Sequence, residues 1–596
     1  MPIYKAPVEE TLFLLFDVLG FERHANLRSF SDAPRDLVEA VLAEGAKISE
    51  QAFQPLNRSG DLQGCQRLAT GEVVTPNGFK DAYKAFVEGG WIGLSADPDY
   101  GGQGLPHTLA AAINEYTSSA NMALAMYPGL TQGAIAALML HGSDEQKRTF
   151  LPKMIAGEWT GTMNLTEPHC GTDLGLIKTK AVPNGDGSYA ITGSKIFISA
   201  GEHDLTDNII HLILARIEGA PAGTKGISLF VAPKVLIGAD GALGERNGVS
   251  CGSIEHKMGL HGNATCVMNY DGAKAWLVGE ENRGLAAMFT MMNEARLGVG
   301  VQGLAQSEVA YQNAAAYAKE RLQGRSLTGP KEAAKPADPI LVHPDVRRTL
   351  LSIKAFNEAA RALILWTSIR GDVALATEDE DERRACDDHM SLLTPVIKGV
   401  ITDLGFDNAV KAQQMFGGHG YIAEWGVEQF VRDARIAMIY EGANGVQAMD
   451  LVGRKLPRDG GRAIMAFFKE VDGFLAENAG DEGLKSFLEP LKRAREDLQK
   501  ATMWFMANAM AKPDNAGAGA TDYMHLFGLV ALGYMWARIA RTALEKKAEG
   551  EAAARMEARL VTGRFFMERC LPETATRLAR ISAGSDAIMA LPAEMF

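Results

Sequence analysis

Between about residues 161 and 282 the chain changes texture, and that change limits the folds open to it. Short runs there are β-branched or aromatic: Ser188-Tyr-Ala-Ile-Thr, Lys195-Ile-Phe-Ile-Ser, Ile209-Ile-His-Leu-Ile-Leu-Ala and Gly226-Ile-Ser-Leu-Phe-Val-Ala. Gly, Pro, Asn and Asp bound them, as expected for strands. No long helical pattern separates them, so they predict an antiparallel β domain rather than βαβ units. On both sides the apolar spacing is helical, as in Asp36-Leu-Val-Glu-Ala-Val-Leu-Ala-Glu and Leu109-Ala-Ala-Ala-Ile-Asn-Glu-Tyr. Ser143 is a plausible N-cap for a helix that follows. With 596 residues, one core is too few. The expected order is a helical domain over 1–160, a β domain over 161–282, helices over 283–456 and a further helical block over 457–596. Loops are expected at Ser326 to Pro339 and around Pro513 to Thr521, where Asn, Gly and Ala collect.

A net charge of −13 argues against a nucleic-acid-binding face, which needs a basic surface. The six cysteines are scattered, with no Cys-x-x-Cys, so reduced thiols in a cytoplasmic setting are expected. The histidines form neither His-x-x-x-His nor His-Glu-x-x-His, so no metal is expected. The first residues do not read as a secretory signal. No uninterrupted apolar run reaches the roughly 18 residues that a membrane span requires.

Several segments carry possible chemistry. Glu441 follows the apolar run Ile436-Ala-Met-Ile-Tyr440 and precedes Gly442. A carboxylate against apolar groups can have its pKa raised toward working pH, which suits a general base for a weakly acidic C–H. The alternative is a surface glutamate at a helix end. Thr166-Glu-Pro-His-Cys-Gly-Thr-Asp173 is a polar turn whose hydroxyls and N–H groups suit a phosphate or a flavin edge, or an ordinary interdomain loop. Strand alternation puts Phe197 and Ser199 on one face, as an aromatic wall beside a hydroxyl or as half of a buried strand. Arg321 and Arg325 close a helical run, suiting a pyrophosphate or simply a helix C-terminus. Gly298-Val-Gly300-Val-Gln-Gly303 matches the dinucleotide fingerprint but has helical pattern on both sides, so close helix packing is expected instead.

Together these segments resemble the acyl-CoA dehydrogenase family of flavoenzymes. The resemblance covers about residues 35 to 455, with its motifs in family order: Thr166 to Asp173, Gly193 to Ser199, Arg296, Glu320-Arg-x-Gln-Gly, Gln414-x-x-Gly-Gly-x-Gly420 and Arg432-Asp-Ala-Arg-x-x-x-Ile-Tyr-Glu-Gly442. It implies a mainly α protein: an N-terminal helical domain, a central β-barrel, a C-terminal four-helix bundle and here an extra C-terminal helical domain. It also implies FAD and an acyl-CoA substrate. Carried over by position, Thr166, Thr172, Phe197 and Ser199 would meet the flavin. Arg321 and Gln323 would reach the FAD of a partner subunit, and Gln414, Gly417 and Gly418 its adenosine half. Thr172, Asn293, Arg296, Glu441 and Gly442 would line the substrate. Glu441 would take the α proton while the β hydride goes to flavin N5, giving a trans-2-enoyl-CoA. A minority of relatives place the base just before the bundle arginine, but that position is Ala295 here. Glu294 lies on another helix face.

The chain departs from the pattern after Glu441-Gly442. Ala443-Asn444-Gly445 replaces Thr-x-Gln, so two FAD contacts are not carried over. A phenylalanine is also missing after Gln323, and a long insert follows. The extra length front and back resembles a bacterial long-form subgroup that acts on 3-methylmercaptopropionyl-CoA in dimethylsulfoniopropionate breakdown, with general medium- and long-chain enzymes sharing that form. A homodimer and an electron-transferring flavoprotein as electron acceptor are implied. The alternatives are an acyl-CoA oxidase, for which the C-terminal residues carry no peroxisomal signal, and a DNA-associated flavoprotein, for which the charges after residue 457 are too evenly balanced.

Overall fold

A computed structural model of the chain describes residues 2–548 and 552–596. It forms two compact units, one of Val41–Gly298 and one that joins the residues up to Ala40 with Val299–Phe596.

In the first unit, helices Phe79–Glu88, His107–His141 and Asp144–Ile155 precede the strands. Ser143 caps the last of these in a reciprocal box: its hydroxyl accepts from Gln146 N–H while the Gln146 side chain accepts from Ser143 N–H. Helix His107–His141 is long and apolar enough to cross a bilayer by length and composition. Its apolar window is 67% buried, however, and Leu109, Tyr116, Leu124 and Tyr127 lie in the core.

The strands close on themselves. Thr265–Val278 pairs with Tyr189–Ser199, which pairs with Lys180–Pro183; that strand pairs with Asn208–Ile217, and Ser228–Pro233 joins Asn208–Ile217 back to Thr265–Val278. Ile191, Ile213, Phe230, Cys266 and Met268 fill the interior. The expected all-antiparallel arrangement needs correction. Trp159–Asn164 and Lys180–Pro183 both run parallel to Asn208–Ile217. Neither is joined to it by a tight hairpin, and long connections permit parallel pairing.

In the second unit the principal helices are Pro344–Ala376, Glu380–Val396, Thr402–Met415, Lys485–Asn508, Asp514–Ala548, Ala553–Arg569 and Glu573–Ser582. Helix Gly284–Glu320 runs unbroken through the Gly298 to Gly303 segment with no strand opening it. A Cβ on Gly300 would stand 2.5 Å from Ile397 Cγ2, and one on Gly303 2.8 Å from the Ile401 carbonyl oxygen. Those glycines therefore serve close packing. Of the loop expected at Pro513 to Thr521, all but Pro513 forms the first two turns of helix Asp514–Ala548. Alternating alanines supply helix propensity there, and Gly519 faces Phe505, whose ring would lie 2.9 Å from an added Cβ.

Candidate active site

In the barrel unit, Thr166 opens a tight turn in which Glu167 and Cys170 exchange backbone hydrogen bonds. The turn is fastened to strand Tyr189–Ser199 by Ile196 N–H, which donates to the Thr166 carbonyl at 2.9 Å. Below it lies Lys195, fully buried, whose Nζ donates to the Leu165 carbonyl at 2.9 Å and to Glu167 Oε1 at 2.8 Å. Burial opposes the Glu167 charge. The Lys195 ammonium, the N–H of Lys178 and the Thr179 hydroxyl outweigh it and hold the carboxyl below the usual range. Glu167, His169 and Cys170 gather their ligand atoms within 4.8 Å, a grouping that histidine spacing does not reveal. The Glu167 oxygens are already engaged as described, so the cluster carries no metal assignment.

Thr172 lies exposed further along the same turn. Phe197 is 60% exposed and adopts φ 59° in a bulge, where pairing shifts from Lys195–Met268 to Ile198–Cys266. Simple alternation fails at Lys195, which it would put on the Phe197 face. Phe197 and Ser199 flank the buried Ile198. On helix Gly284–Glu320, Arg296 is buried and donates from Nη1 to Asn293 Oδ1 at 3.4 Å. Glu294, between them in sequence, has its carboxyl pushed up by burial, with His107 acting the other way.

In the second unit, Glu441 sits in a turn between the helical segments Ile436–Met438 and Asn444–Asp450. Glu441 has φ 57° and Gly442 φ 85°, so two successive residues are left-handed. For a non-glycine this costs about 1 kcal/mol or more and persists only where surroundings enforce it. Tyr440 precedes it, hydrogen-bonded to Gln302. Burial, and then the Glu441 carboxylate beside it, push the Tyr440 phenol well up. The Asn444 side chain, between the departing positions Ala443 and Gly445, turns inward to Lys398, Thr402 and Asp403.

A cavity of about 410 Å³ in the same unit brings together Arg321, Gln323, Gly417 and Gly418, together with Tyr317, Phe416 and His419. Gln414 is exposed on the adjoining helix turn and is not among the lining residues. The aromatic walls were not foreseen from sequence. Tyr317 stacks on Phe416 at 4.4 Å, His419 stacks on Trp425 at 4.4 Å, and Tyr317 Oη shares a hydrogen bond with His419 Nδ1 at 2.9 Å. Tyr317 stands one helical turn before Arg321, a spacing that could have singled it out. The insert after Gln323 is ordered by buried Asp338, whose carboxylate accepts from the N–H groups of Ser326, Lys331 and Glu332 and from Arg325.

Four family models match in succession: the acyl-CoA dehydrogenase N-terminal domain over 69–158, its middle domain over 162–273, its C-terminal domain over 282–456 and an acetyl-CoA dehydrogenase C-terminal-like model over 467–592. The chain is 42% identical to the 3-methylmercaptopropionyl-CoA dehydrogenase of Ruegeria pomeroyi over 98% of its own length and 99% of that protein. The chain belongs to the acyl-CoA dehydrogenase family. It is also 36% identical to a broad-specificity linear acyl-CoA dehydrogenase of Mycobacterium tuberculosis, covering 97% of each. The fold matches the acyl-CoA dehydrogenase of Bacillus anthracis complexed with FAD, at TM-score 0.75 and 20% identity over 96% of this chain and 91% of that one.

As a member of this family the protein is an FAD-dependent acyl-CoA dehydrogenase, and its residues fit that cofactor. Gly417, at φ 56°, and Gly418 leave open space where side chains would stand, beside the Arg321 guanidinium and aromatic walls. That combination suits a pyrophosphate and a planar base.

Proposed function

We propose that the protein oxidises 3-methylmercaptopropionyl-CoA to methylthioacryloyl-CoA, with Glu441 as the base that removes the α proton. The single observation that carries this is the 42% identity along nearly the whole of both chains, the C-terminal block included. Bound FAD supplies the two-electron acceptor for the β hydride. The chain's own groups do the rest. Glu441 N–H and carboxylate lie on one rigid left-handed turn, so an oxygen bound at the N–H is held near the base. An N–H aimed at the thioester oxygen acidifies the α carbon, as oxyanion donors do. Arg296 and Asn293 face the CoA side, and Thr166, Thr172, Phe197 and Ser199 border the flavin. Arg321, Gln323, Gly417 and Gly418 hold the distal half of FAD, with Gln414 at its margin. In a homodimer this last group serves the FAD of the partner. We place the protein in the cytoplasm, in keeping with six free cysteines, and take an electron-transferring flavoprotein as its acceptor.

A second reading is oxidation of straight-chain acyl-CoAs in general, favoured by the 36% identity to a broad-specificity enzyme. Anaerobic bleaching of the flavin by 3-methylmercaptopropionyl-CoA and by butyryl- to palmitoyl-CoA separates the two. The sulfur substrate should give the highest kcat/KM, and bleaching should vanish in Glu441→Ala. A higher kcat/KM for a straight-chain thioester replaces the first reading by the second. A Glu441→Ala protein that bleaches like wild type removes the assigned base.

A further inference from the structure

We propose that Lys398, Asn444, Asp403 and His525 are positioning residues for the Glu441–Gly442 turn, so that the C-terminal helical block is a working part of the active site. The proposal rests on Glu441 as the base. A turn with two left-handed residues in succession relaxes unless its carbonyls are held. Here the Gly442 carbonyl accepts from Lys398 Nζ at 2.8 Å and from Gln447 Nε2 at 3.2 Å, and Gln447 Nε2 also reaches the Glu441 carbonyl at 3.2 Å. Lys398 has no exposed surface. It lies on the π-helical turn Ile397–Ile401, an element that concentrates at functional sites.

The hold extends outward in one chain of contacts. Lys398 Nζ also donates to Asn444 Oδ1 at 2.8 Å. Asn444 Nδ2 is shared among the Gly399 carbonyl at 3.1 Å, Thr402 Oγ1 at 2.9 Å and Asp403 Oδ1 at 2.6 Å. The other Asp403 oxygen accepts from His525 Nε2 at 2.8 Å, and His525 belongs to helix Asp514–Ala548. The same helix grips the π turn by packing. A Cβ on Gly399 would lie 2.3 Å from Met524 Sδ, and one on Gly528 2.6 Å from Val400 Cγ1. On its other side the turn meets Gly300 and Gly303 of helix Gly284–Glu320. The π turn has no slack on either side, so the position of His525 is transmitted to the Gly442 carbonyl, one peptide from the base. Helix Asp514–Ala548 lies in the region matched by the C-terminal-like model over 467–592, and the Asn444 amide couples to it through Asp403.

The test compares His525→Ala, His525→Gln, Lys398→Met and Glu441→Ala as full-length flavoproteins. Anaerobic flavin reduction is followed with 3-methylmercaptopropionyl-CoA and butyryl-CoA. His525→Ala should slow reduction about 10-fold and Lys398→Met about 100-fold, with KM within about twofold, because displaced reacting groups lose rate rather than affinity. His525→Gln, whose amide can still donate to Asp403, should recover most of the rate. A loss that merely tracks lost flavin or lost folding would not be rescued in this way. Wild-type rates in both His525→Ala and Lys398→Met, with Glu441→Ala inactive, overturn the proposal. If Glu441→Ala is itself active, the base reading has failed, and hydrogen exchange over residues 440–447 decides the clamp. Faster exchange in His525→Ala upholds it, and unchanged exchange overturns it.

Discussion

Lys195 is a charged residue without exposed surface, made tolerable by the Glu167 carboxylate 2.8 Å away. Both members are buried, so removing one leaves an uncompensated charge rather than a neutral gap. Lys195→Met should cost about 3–5 kcal/mol in urea unfolding, and a Lys195→Met/Glu167→Gln double variant should regain part of it. Because Lys195 also holds the Leu165 carbonyl, the single variant should lose flavin more readily on dilution, read from the free-to-bound flavin ratio. At Glu441 the issue is reach. Glu441→Asp keeps the acid but withdraws it by one methylene, so kcat should fall about 10²-fold with flavin content unchanged. These two residues differ in how visible they are in sequence. Glu441 announces itself as a carboxylate after an apolar run and before glycine. Lys195, in the strand run Lys195-Ile-Phe-Ile-Ser, carries no mark of its burial in sequence, and the strand pairing shifts between it and Ile198.

At the scale of elements, strands and long helices are legible because their periods are short-range properties. Segments whose structure is set by a distant or non-periodic partner are not. Pro513 to Thr521 looks like a loop by its glycines, yet from Asp514 onward it is helical, with Gly519 close against Phe505. The insert Ser326 to Pro339 is a loop as expected, but its order comes from one residue, Asp338, that no pattern marks. Burial opposes ionisation of Asp338, while three backbone N–H groups and Arg325 overcome it and hold the carboxyl at about 2. The ordinary value is about 3.9. A depressed folded value means stabilisation that is complete above about pH 4 and is lost as pH falls toward about 2. Peptide-level hydrogen exchange over 321–343 should therefore remain slow down to about pH 4 after correction for intrinsic rates, and rise below it. Asp338→Asn should show the fast pattern at neutral pH and bind FAD more weakly, because the loop anchors Gln323 through its N–H to the Asp338 carbonyl. Unchanged exchange in that variant would assign the ordering of the loop elsewhere.

Over the whole molecule, periodicity says nothing about which distant segments share a core. The first forty residues belong to the same compact unit as Val299–Phe596. Ile3 N–H donates to Asn313 Oδ1 at 3.0 Å, and Arg538 Nη2 donates to the Val18 carbonyl at 3.1 Å. The tightest join is Arg559, which pairs with Glu10 and lies 4.0 Å over the Phe13 ring. Behind it, Glu358 pairs with Lys354. Burial, and then the nearby Glu10 charge, push the Glu358 carboxyl up. Arg559 thus quenches an acid pair as well as packing on an aromatic face. Arg559→Ala should destabilise this unit by on the order of 2 kcal/mol, less than a fully buried pair because Arg559 and Glu10 are partly exposed. Adding Glu10→Gln should recover part of the loss by removing one of the two facing acids. The pH dependence has a definite sign. A carboxyl whose folded pKa is raised holds its proton more tightly in the fold, so its contribution to stability falls as pH rises above the ordinary glutamate range. Without Arg559 that effect grows, so the deficit of Arg559→Ala should be larger at about pH 8 than at about pH 5, and the difference should shrink in the Glu10→Gln background. Thermal unfolding of the four proteins at both pH values reads this directly. A deficit independent of pH and untouched by Glu10→Gln would mean that Arg559 acts through the Phe13 ring alone.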